Sequence, residues 1–155
     1  MSAPPETRSV ALEPPSTSIL LGVRSMSVAR LRTISILVGG AAGALARAGI
    51  ARALPHHGAQ WPWATFIVNL AGALLLGWLT TRLAEHVAPT RYWRFLVGTG
   101  LCGALTTFST FQVETIGLAK NGHPGVALGY AAASLALGLA CAIGGTLLAR
   151  RRRYG

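Results

Sequence analysis

The sequence has no aspartate, and its four glutamates, Glu6, Glu13, Glu85 and Glu114, stand against fourteen basic residues. Charged residues make up 12% of the chain and hydrophobic ones 52%, too few polar groups to solvate the surface of an ordinary globular domain. Only two cysteines occur, Cys102 and Cys141, both inside apolar runs. With neither metal-ligand spacing nor an extracellular disulfide pattern, they read as small buried residues. Also missing are a glycine-rich phosphate loop between strand and helix, a metal-ligand cluster, and a nucleophile with a base and an orienting acid, so no enzyme is expected. A net charge of +10 raises the question of nucleic acid. The arginines fall in short clusters between or beyond apolar runs, without interleaved aromatics, which argues against that partner. The histidines His56, His57, His86 and His123 sit in loops and read as solvated, the His56-His57 pair being a weak metal suggestion.

What the chain does have is long apolar segments. A hydrocarbon core of about 30 Å takes roughly 20 helical residues. Four stretches reach that length once polar interruptions are allowed: 33–54, 63–82, 93–118 and 124–148. The connections carry turn residues: Pro55-His56-His57-Gly58, Glu85-His86-Val87-Ala88-Pro89, and Lys120-Asn121-Gly122-His123-Pro124. Trp61, Trp63, Tyr92 and Trp93 flank spans as interface anchors, and the last span runs into Arg150 to Arg153. The expected class is an all-α membrane protein with a transmembrane domain over 31–150 and a basic tail at 151–155. Residues 1–30, with Pro4, Pro5, Pro14 and Pro15, are expected to be a disordered tail. A signal peptide is disfavoured by the short apolar stretch at 19–23, and Met26 leaves a later start open.

Small residues recur at spacings that let helices approach: Gly39, Gly43 and Arg47 on one face, and Gly125 and Gly129 at the start of the fourth span. Four helices enclose little interior, so a polar site is expected to be completed by a second subunit.

The candidate site lies in residues 98–114, a polar stretch with three glycines and four threonines inside an apolar segment. Irregular backbone at membrane depth is tolerated only where it is buried in protein or lines a polar path. Gly100, Gly103 and Thr106-Thr107 favour a broken third helix, and freed carbonyls there suit a hard cation such as Na+. The plain alternative is a kink satisfied by threonine hydroxyls. Phe108 and Phe111 follow the break, and their positive ring edges are able to face a small anion, although packing is the usual role of phenylalanine. Asn69, with Thr65 before it and Gly72 after it, is either a pore donor or interhelical glue. Arg47 either snorkels to the headgroups or draws anions into a vestibule. Glu114 lines a pathway, caps a polar network with its neighbours such as Thr107, or titrates.

Gly100-x-x-Gly103 with Thr106-Thr107-Phe108-Ser109-Thr110-Phe111, Gly39-Gly40-x-x-Gly43-Ala44-x-x-Arg47, and Val68-Asn69-x-x-Gly72 together resemble the Fluc (CrcB) fluoride channel family over residues 33–149. The resemblance implies four helices per subunit, an antiparallel dimer with two fluoride pores, and a central structural Na+. It implies Na+ ligands at the carbonyls of Gly103 and Thr106, a phenylalanine box at Phe108 and Phe111, and a pore amide at Asn69. Arg47 would stand at the vestibule, with a polar track from Thr65, Tyr130 and Ser134. The chain departs from the pattern at Gly138, where a hydroxyl would extend the track, and at Ala48, where an aromatic is common.

Fluoride is small and strongly hydrated, so a pore must replace its water with directed donors, and flow would be passive and outward under a negative potential. Arg24, Arg30, Arg32, Arg82, Arg91, Arg94 and Arg150 to Arg153 fall on the side of the termini, against Arg52, Lys120 and Arg47 on the other. The bias places the termini in the cytoplasm of a plasma-membrane protein and suggests pairing with an oppositely oriented paralogue rather than a homodimer. Two alternatives are a pore-completing partner subunit and a small proton-coupled exporter. The exporter lacks the expected carboxylate in its first two spans.

Overall fold

The computed structural model describes residues 17–85 and 91–151, which are helix and turn with no strand among them. The expectations for residues 1–16, for the His86 to Pro89 loop and for Arg152 and Arg153 lie outside the described residues. In chain order the elements are α1 (Thr17–Ala53), α2 (Trp63–Glu85), α3 (Arg91–Trp93), a π-helical stretch π1 (Arg94–Cys102), α4 (Gly103–Leu105), α5 (Phe108–Lys120) and α6 (Pro124–Arg151). α1 therefore begins inside the segment read from sequence as a tail. Among the described residues three helical segments are long and apolar enough to cross a membrane: Val28–Ala53, Trp63–Leu83 and Pro124–Arg151. Residues 93–118 are instead spread over π1, α4 and α5, of which the longest has 13 residues.

Local chemistry sets the ends. α1 stops just before Pro55, which has no N–H to extend the ladder and disfavours helical geometry at Leu54. α5 ends in a two-bond cap: Gly122 adopts φ 86°, its N–H donates to the Ala119 carbonyl at 3.3 Å, and His123 N–H donates to the Leu118 carbonyl at 3.0 Å. Glycine tolerates this left-handed turn without a Cβ clash, and Pro124 then opens α6 with φ already suited to a first helical turn.

Packing is closest where glycine removes the side chain. A Cβ on Gly39 would collide with the Leu96 carbonyl, and one on Gly43 with the Leu101 carbonyl, so α1 lies backbone to backbone on π1. α2 and α6 meet similarly, with Gly77 against Ala142 and Gly145 against Leu74. The glycines anticipated at the start of α6 do not serve this purpose. A Cβ on Gly125 would meet nothing within 4 Å, and one on Gly129 only the Trp61 ring at 3.9 Å. Spacing alone did not point to Gly145, because helix spacing marks a face without saying what lies opposite.

The exterior is apolar. Leu45 and Leu128 are each 74% exposed and Leu135 is 72% exposed, the inverse of a water-soluble surface and the expected one for contact with lipid or another subunit. Arg32 lies over Phe95 and Arg82 over Trp78, with guanidinium carbons 5.6 and 5.9 Å from the ring centroids. An aromatic core joins Phe66, Tyr130 and Leu118 with Trp61 and Phe111.

Replacing Gly145 by alanine forces a Cβ into the Leu74 backbone and is expected to destabilise the protein by about 1–3 kcal/mol. The same change at Gly138, where an added Cβ would meet nothing within 4 Å, removes only glycine's helix penalty and is expected to be neutral or stabilising. Thermal unfolding of both variants in detergent checks the pair.

Candidate functional site

The helix that ends at Leu105 does not resume until Phe108, because Thr106 and Thr107 are extended, with φ and ψ of −78° and 153°, and −149° and 119°. Both residues are β-branched and suit that conformation. Their hydroxyls close the two helix ends. Thr106 donates through its N–H and Oγ1 to the Cys102 carbonyl at 3.0 and 2.9 Å. Thr107 Oγ1 caps α5 by accepting the Thr110 N–H at 3.2 Å. Gly72 makes room for the Thr106 methyl, which occupies the space a Cβ would need.

Asn69 holds the gap between the helices. Its Oδ1 accepts the Thr107 N–H at 2.9 Å, and its Nδ2 donates to the Thr107 carbonyl at 3.1 Å. A side-chain amide thereby pairs with a backbone residue as a neighbouring strand would. One Nδ2 hydrogen remains beyond this pair. The clamp has a further effect. In a continuous helix the Thr107 N–H would serve the Gly103 carbonyl and the Thr110 N–H the Thr106 carbonyl. Both donors are bound elsewhere, to Asn69 and to Thr107 Oγ1. The intervening Ala104 carbonyl accepts Arg47 Nε at 3.1 Å, a cation at a helix C-terminus.

A second polar group centres on Glu114, whose side chain is 9% exposed. Thr65 Oγ1 donates to Oε1 at 2.7 Å and the Tyr130 hydroxyl donates to Oε2 at 2.9 Å, so one carboxylate ties α2, α5 and α6 together. His56 Nε2 stands 3.9 Å from Oε1. Phe108 is 70% exposed, and its ring stacks on Phe111 at 5.9 Å with a 30° interplanar angle. Phe111 in turn meets Tyr130 at 5.2 Å.

Two cavities flank the extended pair. One, of about 350 Å³, is lined by Asn69, Gly72, Gly103, Thr106, Thr107 and Phe108 among others. The other, of about 280 Å³, is lined by Arg47, His56, Thr65, Thr107, Thr110 and Glu114 among others. Thr107 borders both.

The structure thus gathers Asn69, Gly103, Thr106, Thr107 and Phe108 at one cavity, and Arg47, Thr65 and Glu114 at its neighbour, with Tyr130 and Phe111 behind them. Ser134 stands apart: its Oγ is buried without a hydrogen-bond partner and it lines neither cavity. Sequence reasoning missed His56, read as a solvated loop residue, and gave Thr110 no role. The T-x-x-T spacing of Thr107 and Thr110 carries the capping signal. His56 carries none, since its position depends on how the loop folds back over α5. Among the described residues no three His, Cys, Asp or Glu side chains come together, so the His56-His57 pair finds no third ligand.

Membrane-length apolar helices around an interrupted segment define a multi-pass α-helical membrane protein. The chain belongs to the CrcB family: residues 34–146 match the family described as "CrcB-like protein, Camphor Resistance (CrcB)". Among similar proteins, the "Fluoride-specific ion channel FluC 1" of Mycobacterium bovis is 50% identical over 119 residues, covering 77% of this chain and 90% of the relative. The protein of the same name from Mycobacterium tuberculosis matches equally. The "Fluoride-specific ion channel FluC" of Chlorobaculum tepidum is 46% identical over 112 residues, covering 72% of this chain and 89% of the relative. The family is one of ion channels, not enzymes.

Replacing Asn69 by alanine strips partners from both polar groups of Thr107 and is expected to cost about 1–3 kcal/mol for each group left unpaired. Asn69→Gln keeps the amide but carries it one methylene further out, so its loss should be intermediate. Unfolding midpoints and amide exchange at Thr107 check the order.

Proposed function

We propose that the chain is a subunit of a fluoride-selective channel through which cytoplasmic fluoride leaves the cell passively. The observation that carries this reading is the Asn69–Thr107 clamp, which opens polar backbone between two cavities in a chain whose relatives are named fluoride-specific channels. Arg47 at the second cavity raises the local anion concentration. The spare Nδ2 hydrogen of Asn69 and the positive edges of Phe108 and Phe111 replace fluoride's water with directed partners. Thr65 and Tyr130 spend their hydroxyl hydrogens on Glu114, so in this reading they join the track only by exchanging that partner for fluoride, while Ser134, one turn along α6 from Tyr130, keeps an unpaired Oγ. A narrow path lined by weak, separate donors admits a small anion and releases it. The negative membrane potential supplies the outward drive.

The resident cation of this reading is Na+, and the donor set suits it. The Gly103 and Thr106 carbonyls are the two whose helical donors are engaged elsewhere, and Gly103 is exposed with no neighbour at its Cβ position. Neutral carbonyl oxygens are good ligands for a hard cation, and one subunit offers only part of a shell, so a second subunit completes it. When bound, the cation neutralises the carbonyl dipoles freed by the interruption. Residues 93–118 then act as one span interrupted at Thr106–Thr107, giving four spans per subunit in an antiparallel dimer.

The arginine-rich end, including Arg82 on α2 and Arg150 and Arg151 on α6, faces the cytoplasm in the plasma membrane. That bias favours a second form of the reading, in which the partner is an oppositely oriented paralogue instead of an identical copy. The exporter alternative is weaker, because Glu114 has both oxygens engaged by hydroxyls.

Liposomes holding this protein should release fluoride far faster than chloride. Phe108→Ala should slow fluoride release by about tenfold, a barrier change of ~1.4 kcal/mol. Replacing Na+ by a bulky organic cation should lower both flux and melting temperature, since a ligand bound only to the folded state stabilises it. Equal chloride and fluoride release would end the proposal. No flux from folded protein alone, restored by adding the paralogue, would establish the hetero-oligomer.

A further inference from the structure

His56 stands where two cavities share a wall. The inner one is the 280 Å³ cavity that holds Arg47 and Glu114. The outer one, of about 400 Å³, is bordered by Gln60, Trp61 and Trp63. Leu54, Pro55 and His56 line both, and of these three only His56 has a polar side chain. The imidazole is therefore the one polar side chain common to the two linings. Its base is fixed by the tight turn that follows, in which His57 N–H donates to Gln60 Oε1 and Gln60 N–H donates to the His57 carbonyl, both at 3.1 Å.

The charges inside explain why a cation-forming group belongs there. α5 contributes the Glu114 carboxylate and α1 the Arg47 guanidinium, while α2 and α6 contribute only the hydroxyls of Thr65 and Tyr130. One negative and one positive group leave no net attraction for an anion, and part of the guanidinium is committed to the Ala104 carbonyl. The imidazole is not committed in this way. At 3.9 Å it is too far from Glu114 Oε1 for a hydrogen bond, and its side chain is 32% exposed. It therefore has a ring nitrogen to offer to the cavities it lines.

We propose that His56 is an anion-capture residue: it offsets the Glu114 carboxylate at the throat between the two cavities and delivers fluoride to the Arg47 side. This rests on the channel reading above. Neither composition nor motif points to the residue; its position between the cavities does.

The test is fluoride efflux as a function of fluoride concentration from liposomes holding the conducting assembly. His56→Ala is expected to raise the half-saturating concentration by roughly tenfold, the scale of electrostatic focusing in a charged cleft. His56→Lys, which keeps a donor and a charge, is expected to bring back most of that shift. His57→Ala, whose turn contacts are made by its backbone, should follow the wild-type curve. A His56→Ala curve superimposed on the wild type's would overturn the inference, as would a fall in maximal flux at unchanged half-saturation that lysine does not repair. If wild-type protein passes no fluoride, alone or with the paralogue, the channel reading itself fails and the inference falls with it. A conducting wild type with an insensitive His56→Ala sinks the inference only.

Discussion

The pairing of the Asn69 amide with both backbone groups of Thr107 is the constraint on which the site depends. An extended residue among membrane helices leaves a donor and an acceptor that lipid cannot satisfy. One side chain from α2 meets both, which lets the chain change direction at depth without a buried orphan. Two further features follow. The Thr107 hydroxyl is free to start α5, and the carbonyls of Gly103 and Thr106 are left without their usual helical partners.

Around that point the molecule separates two kinds of adhesion. Glycines at the α1–π1 and α2–α6 contacts bring backbones together and leave dispersion as the main attraction, as expected where the hydrophobic effect between helices is absent. The Glu114 group instead joins three helices through hydrogen bonds from two hydroxyls. The glycine contacts fix the scaffold, and the polar contacts place donors along its interior. The aromatic cluster of Phe66, Phe111, Trp61 and Tyr130 packs around the Tyr130 ring, whose hydroxyl reaches Glu114.

Much of this was legible in the sequence. The apolar runs located α2 and α6, because length and composition suffice for a membrane-crossing helix. The polar stretch around Thr106-Thr107 and the lone amide at Asn69 stood out because such groups are expensive in hydrocarbon. Their mutual pairing was not legible, since a sequence shows that a buried amide needs partners without showing which backbone it meets. Two glycines at the start of α6 were expected to make a close contact that Gly145 makes instead. Gly145 has Cys141 and Ala149, not glycines, four residues away, and what distinguishes it is the Leu74 backbone opposite. His56 was passed over because loop residues carry no periodicity, and its approach to Glu114 comes from a fold-back that no local pattern encodes.

The Thr106 methyl seated in the space above Gly72 has a consequence for how the chain can change over time. The two positions work as a notch and a tooth on different helices. Enlarging the residue at 72 displaces the tooth and the interruption beside it, while shortening the residue at 106 leaves the notch empty. Neither can drift alone without disturbing the other, so a tolerated replacement at one is expected to arrive with a matching replacement at its partner.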